Sequence, residues 1–336
     1  MSRVRTVLGD ILPEAVGVTL THEHTILNWP GAELDHRAAF DWDQVVNDVA
    51  AELKQGRELF DLATVVDCTP ADMGRNPRFM VEVAKASGVN VVATTGFFCE
   101  SMGVPEHWRR QSLEEIRDFL IRDITDGIVG TKVRCGIIKA ATGQDDANPH
   151  PTPVGPNGRR VGVHEDRIIR AVGRAQRELG VPLTTHTDPM DWEVTNIGLE
   201  QLEILMEEGA DPAKICIGHT FFARVEQIEE ILSRGAYVQM DNIGTGWRGL
   251  SDEAVVDKAC ALIDKGYLDR ILLTFDRFFY QVRGPQPFTG YDPEVAPRKT
   301  LDFLPDSFLP LMRSKGLGEQ EIRRIMVENP TRLLAF

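Results

Sequence analysis

"VGVTLTHEH", residues Val16–His24, is an apolar, β-branched run that ends in two histidines one residue apart. Alternation along a strand sets His22 and His24 on one side and Glu23 on the other. That spacing suits two ligands of one ion, and it equally suits a stacked polar pair. Outward from this stretch the pattern recurs. Strand-like runs fall at Gly17–His22, Thr64–Thr69, Asn90–Gly96, Cys135–Ala141, Pro182–His186, Ile215–His219, Ala236–Asp241 and Ile271–Asp276, eight in all. Several are continuously apolar, as strands buried on both faces should be.

Helical periodicity separates these runs. It begins at Asp41, Asn76, Ser112, Glu165, Gly198, Ala223 and Ser251, and most of these stretches end in glycine. Ser112 with Glu115 forms a capping-box pattern, and Ser251 is a partial one. Repeated strand–helix alternation predicts an α/β chain: a single (β/α)8 TIM barrel, with its core over about residues 16–280. A short hairpin is expected before it and C-terminal helices over 305–336, so that residues 1–336 make a single domain. An open doubly wound sheet is the competing architecture, but no GxGxxG follows the first strand. Long loops are expected at Thr142–His164 and Arg277–Asp306.

Composition narrows the function. The 336 residues are 42% hydrophobic and 26% charged, as in globular proteins with a large core. A formal charge of −14 argues against nucleic acid and anionic membranes as partners. No run approaches the ~18 apolar residues of a membrane span. The five cysteines, Cys68, Cys99, Cys135, Cys216 and Cys260, include no CxxC, which predicts a reduced, cytoplasmic protein. The start of the chain is broken by Gly9, Asp10 and Pro13 and does not read as a secretory signal.

In a barrel, chemistry gathers at the C-terminal ends of the strands. Those ends carry His22, His24, Lys139, His186, His219 and Asp276. Any one histidine has a plain structural reading. A buried Lys139 must instead be paired, deprotonated or modified, and Asp276 needs a compensating cation. Four imidazoles and a carboxylate exceed what a single open zinc takes, and they suit two divalent metals a few ångströms apart. Nitrogen and oxygen donors favour Zn²⁺, with Mn²⁺, Fe²⁺ or Co²⁺ as alternatives.

HxH on the first strand, Lys139 on the fourth, His186 and His219 on the fifth and sixth, and Asp276 on the eighth resemble the amidohydrolase superfamily. More closely, the chain resembles its phosphotriesterase-like branch, through "TVLGDILPEAVGVTLTHEH", "GIIKAA", "GHT", "APRKTLDFLPDSFLPLMRSKG" and "ENPTRLL". The resemblance implies that His22, His24 and Asp276 hold the more buried metal, and His186 and His219 the exposed one. It further implies that Lys139 is carboxylated and bridges both. The expected activity is hydrolysis of an ester, lactone or phosphoester by a metal-bridging hydroxide, with Asp276 and Lys139 as catalytic residues.

The chain departs from its relatives in places that bear on substrate. Phosphotriesterases proper carry acidic residues just after the sixth-strand histidine and a histidine after the seventh strand; Phe221-Phe222 and Asn242 stand there. The similar lactonases have arginine at the Asn242 position and tyrosine where Phe98 stands. Phe98, Trp108, Asn242, Trp247, Arg248 and Phe278 are the candidate substrate contacts, with Trp29, Phe97, Trp192, Phe279 and Tyr280 as further loop aromatics. Arg248 and Arg277 are candidates to neutralise a substrate anion. The expected partner is a small molecule, and Phe221, Phe222, Phe278 and Phe279 suggest a homodimer face. Amide or acyl-amino-acid hydrolysis at the same site, and a non-catalytic metal-containing binder, are the other readings.

Overall fold

The computed structural model describes residues 2–143, 155–282 and 300–336. The chain opens with a hairpin, β1 (Val4–Thr6) against β2 (Gly9–Ile11). Strands β3 (Val18–His24), β4 (Leu62–Asp67), β5 (Asn90–Gly96), β6 (Ile137–Ala141), β7 (Leu183–His186), β8 (Ile215–Ile217), β9 (Tyr237–Met240) and β10 (Ile271–Leu273) follow, each from one expected run. Each pairs in parallel with the next, so sequence order is also spatial order.

Seven long helices connect them: α1 (Trp42–Phe60), α2 (Pro77–Ser87), α4 (Leu113–Thr125), α5 (Val163–Leu179), α7 (Ile197–Glu207), α8 (Val225–Ser233) and α9 (Asp252–Asp264). Short turns α3 (Glu106–Arg109) and α6 (Asp191–Val194) interrupt the loops. Local chemistry fixes the ends. Asp41, Asn76 and Ser251 accept backbone N–H groups at N-caps, and Ser112 with Glu115 completes the expected capping box. Gly88 and Gly180 end α2 and α5 in the left-handed region. The helices bury an apolar stripe against the sheet, and residues such as Leu53, Phe79, Leu120, Ile169 and Leu205 join one core with the strands.

The eighth barrel strand is broken. Ile271–Leu273 pairs with β9, and the chain then continues through Asp276 into β11 (Arg277–Phe278), which pairs with β3. The expected loop at Arg277 therefore begins as strand. Glu23 explains the seam. Fully buried and pointing away from the mouth, it accepts from Thr274 Oγ1 at 2.5 Å, Phe275 N at 3.0 Å and Arg277 N at 2.6 Å. Asp276 N also donates to the His22 carbonyl at 3.1 Å. First and last strands thus close the barrel through a side chain where the ladder is interrupted.

Two glycines let the strands approach. A Cβ on Gly96 would stand 1.9 Å from the Lys139 carbonyl oxygen, and one on Gly218 would stand 2.1 Å from that of Thr185. Beneath the barrel, Val4 of the hairpin packs with Val16, Val66, Val92, Ile137 and Leu334. The C-terminal helices α10 (Leu309–Ser314), α11 (Glu319–Arg323) and α12 (Asn329–Leu334) finish the fold. Of the two expected long loops, residues 144–154 and 283–299 lie outside the described residues, and so does His150. No helix among the described residues is long and apolar enough to cross a membrane.

Candidate metal centre at the mouth of the barrel

The six residues expected at the strand ends come together. His22, His24, Lys139 and His219 are almost wholly buried, and Asp276 is 8% exposed. Lys139 Nζ lies 3.1 Å from His22 Nε2, and His24 Nε2 lies 3.4 Å from Asp276 Oδ1. His219 Nε2 lies 2.7 Å from His186 Nδ1. The His22 ring centroid is 5.7 Å from that of His24 and 5.0 Å from that of His219.

Backbone conformation delivers part of this set. His219, Asn242 and Asp276 end the sixth, seventh and eighth barrel strands, and all three have positive φ, 55°, 58° and 55°. Non-glycine residues meet a steric cost there, and it persists where surrounding structure over-determines the turn. Each turn swings a polar side chain across the mouth instead of letting it continue the pleat.

Outer partners orient the imidazoles. His22 Nδ1 faces Gln239 Oε1 at 2.8 Å, and Gln239 Nε2 donates to Thr21 Oγ1 at 2.7 Å. Gln239 therefore accepts from Nδ1–H and leaves Nε2 as the donor atom of His22. His24 Nδ1 lies 2.9 Å from Thr69 Oγ1, whose own proton goes to the Ile26 carbonyl, with the same result at His24. Asp241 Oδ2 accepts from the His219 backbone N–H at 3.0 Å, and its Oδ1 lies 2.9 Å from His219 Nδ1.

Electrostatics agree with a ligand set. Burial pushes His22 well below the usual imidazole range, and it lowers His24 and His186 as well, which favours the uncharged rings. Burial works against His219 too, but the Asp241 carboxylate outweighs it and raises this ring. Burial would raise Asp276, yet the His24 hydrogen bond and the neighbouring histidines reverse it and hold the carboxyl well below its ordinary value. Neutral imidazole nitrogens with an ionised carboxylate are what divalent cations bind. Donor atoms of His22, His24 and Asp276 lie within 4.8 Å of one another, and so do those of His22, His219 and Asp241. The two groups share His22, and each could hold a cation.

Asp241 and Gln239 escaped the sequence reading. An amide within the apolar "YVQM" and a carboxylate closing that strand were the available signals.

The aromatic candidates divide. Phe98 lies 4.7 Å, ring to ring, from His186, and Phe278 packs edge-on to His24 at 4.9 Å. With Leu27, Met73 and the half-buried Trp29 and Met102 they form an apolar wall. Asn242 reaches Asp276 itself. Trp108 instead packs against Phe97 and Phe119 at 5.2 and 4.5 Å, within the helix-facing core. Trp192 is likewise buried, donating to Thr187 Oγ1 at 2.9 Å. Trp247 meets Phe222 edge-on at 5.3 Å, and Arg248 Nη1 lies 3.1 Å from Met190 Sδ. Arg277 pairs with Glu52 at 2.5 Å rather than reaching for a substrate anion. Phe221 is buried and lends no surface to the expected apolar contact face, whereas Phe222, Phe278 and Phe279 are half-buried.

Comparison with known proteins places this geometry in context. Residues 2–334 match the model of the phosphotriesterase family. The aryldialkylphosphatase of Saccharolobus solfataricus is 31% identical over 95% of both chains. An N-acetyltaurine hydrolase of Danio rerio is 26% identical over 99% of this chain and 98% of its own. A solved structure from the molecular engineering of organophosphate hydrolysis activity from a weak promiscuous lactonase template superposes with a TM-score of 0.86, at 31% identity over 99% of both chains.

Proposed function

Because the chain belongs to the phosphotriesterase family and is a metal-dependent hydrolase, we propose that it cleaves a carboxylic ester or lactone in preference to a phosphotriester, with two divalent cations at the barrel mouth. The observation that carries this reading is the convergence of His22, His24, Lys139, His186, His219 and Asp276 from five strands onto one buried cluster. His22, His24 and Asp276 would hold one cation, and His186 and His219 the other. Lys139, buried with its Nζ against an imidazole, would be carboxylated in this reading and would offer its carbamate oxygens to both cations. When bound, zinc (or manganese, iron or cobalt) supplies activation of water and polarisation of the scissile oxygen.

The remaining chemistry belongs to the chain. Asp276, kept ionised, accepts the proton of the attacking water at a carboxylate oxygen and returns it to the leaving group. Asn242 beside it cannot relay a proton, so the leaving alkoxide takes its proton from Asp276 directly. Phe98 and Phe278 wall the imidazoles and offer an apolar surface to the substrate. The lactonase template named for a structural relative supports the ester preference. Amide hydrolysis at the same groups is the second reading, favoured by the N-acetyltaurine hydrolase relative. All five cysteines are free, which fits a reducing, cytoplasmic setting.

The test is metal content with turnover. The parent chain should hold about two equivalents of metal and hydrolyse members of an ester, lactone, amide and phosphotriester panel. Lys139→Ala should lose both. Stoichiometric metal without turnover on the whole panel would point to a binding protein, and metal-free activity would overturn the reading.

A further inference from the structure

We propose that Asn242 is a positioning residue that joins the two metal positions through its side-chain amide. The proposal rests on the two-cation reading above and goes beyond it. Asn242 Nδ2 donates to Asp276 Oδ2 at 3.3 Å and to Asp241 Oδ1 at 3.1 Å. Asp276 in turn meets His24, and Asp241 holds His219 through its backbone N–H. A continuous chain therefore runs His24–Asp276–Asn242–Asp241–His219, from ligands of one position to a ligand of the other. One nitrogen with two protons sits between two carboxylates, each of which needs a donor because both are buried.

The backbone is built for this placement. Asn242 is 5% exposed and adopts φ 58°, a region that asparagine and aspartate tolerate better than other side chains. His219 and Asp276 share that conformation at the ends of the flanking strands. The turns at Asn242 and Asp276 leave Asp241 Oδ1 and Asp276 Oδ2 both within reach of one amide nitrogen. An uncharged donor holds both oxygens as acceptors without adding a cation that would compete with the metals.

The experiment uses the full chain, stripped by chelator and titrated with Zn²⁺ in bicarbonate against a competing chelator. Two variants keep the left-handed backbone: Asn242→Gly deletes the amide, and Asn242→Asp keeps its shape but replaces the donor with an acceptor. Asn242→Gly should weaken zinc binding at one or both positions about 10- to 100-fold, the range for outer partners of metal ligands. Asn242→Asp should weaken it at least as much, and kcat should fall in both with KM little changed. Melting temperatures of the stripped forms should stay near the parent's, which a merely structural role would not allow. Parental zinc affinities in both variants, or loss in Asn242→Gly with parental behaviour in Asn242→Asp, would overturn the proposal. A parent that takes up two zinc ions while the variants match it refutes the role of Asn242 alone. A parent that takes up none refutes the two-cation reading as well.

Discussion

Gln239 sits below the mouth and fixes the imidazole of His22 by accepting from Nδ1. Gln239→Leu removes that acceptor while keeping a strand residue of similar size. Zinc affinity should fall about 10- to 100-fold, read by chelator competition. Gly96 constrains the same region from another side. Gly96→Ala would drive a methyl into the Lys139 carbonyl at a φ of 131° and should destabilise the fold by ~3 kcal/mol, measured by urea unfolding. Residues of the first kind were hard to see in the sequence. The six ligands stood out because each is a polar group closing an apolar run. Gln239 and Asp241 act on those ligands from a different strand, and no local pattern ties them to His22 or His219. Trp108 misled for a related reason: position in a loop does not say whether a ring turns to the mouth or to the helices.

At the start of α5, Glu165 accepts from the backbone N–H groups of Gly162, Glu100 and Gly143, and so ties the helix to the loops after β5 and β6. Burial first, with the charge of Glu100 adding to it, pushes its carboxyl up to about 8 from an ordinary value of 4.5. The native state keeps a proton that the unfolded chain releases across this window. The contribution of Glu165 to stability is therefore fullest below about 4.5 and declines as pH rises towards about 8. Glu165→Gln removes the difference, and its melting temperature should fall less steeply than the parent's between about pH 5 and about pH 8. The long helices were legible because caps, glycine ends and several turns of period coincide. The single turns α3 and α6 were not, since four residues show no period. The break in the eighth strand was equally invisible, because Glu23, far away in sequence, supplies the bonds that the ladder omits.

For the molecule as a whole, cations bound by the native state alone add stability by mass action. Chelation should lower the melting temperature by several degrees, since occupancy at a hundredfold excess over Kd contributes ~2.7 kcal/mol. Glu23→Ala leaves three donors at the seam, two of them buried, without their acceptor. It should cost at least ~3 kcal/mol in calorimetry or urea unfolding, although Glu23 is no ligand. The barrel itself could be read from alternation alone, because parallel neighbours in sequence order need no long-range information. Its closure has a temporal side. His22 and Thr274 meet across 252 residues of chain, a long loop that closing the barrel must shut. Local strand pairs form without waiting for that event, whereas the complete donor set does not exist until the last strand finds the first. Cation capture is thus a late step in maturation, and refolding in chelator followed by delayed zinc should restore activity as fully as refolding with zinc from the outset.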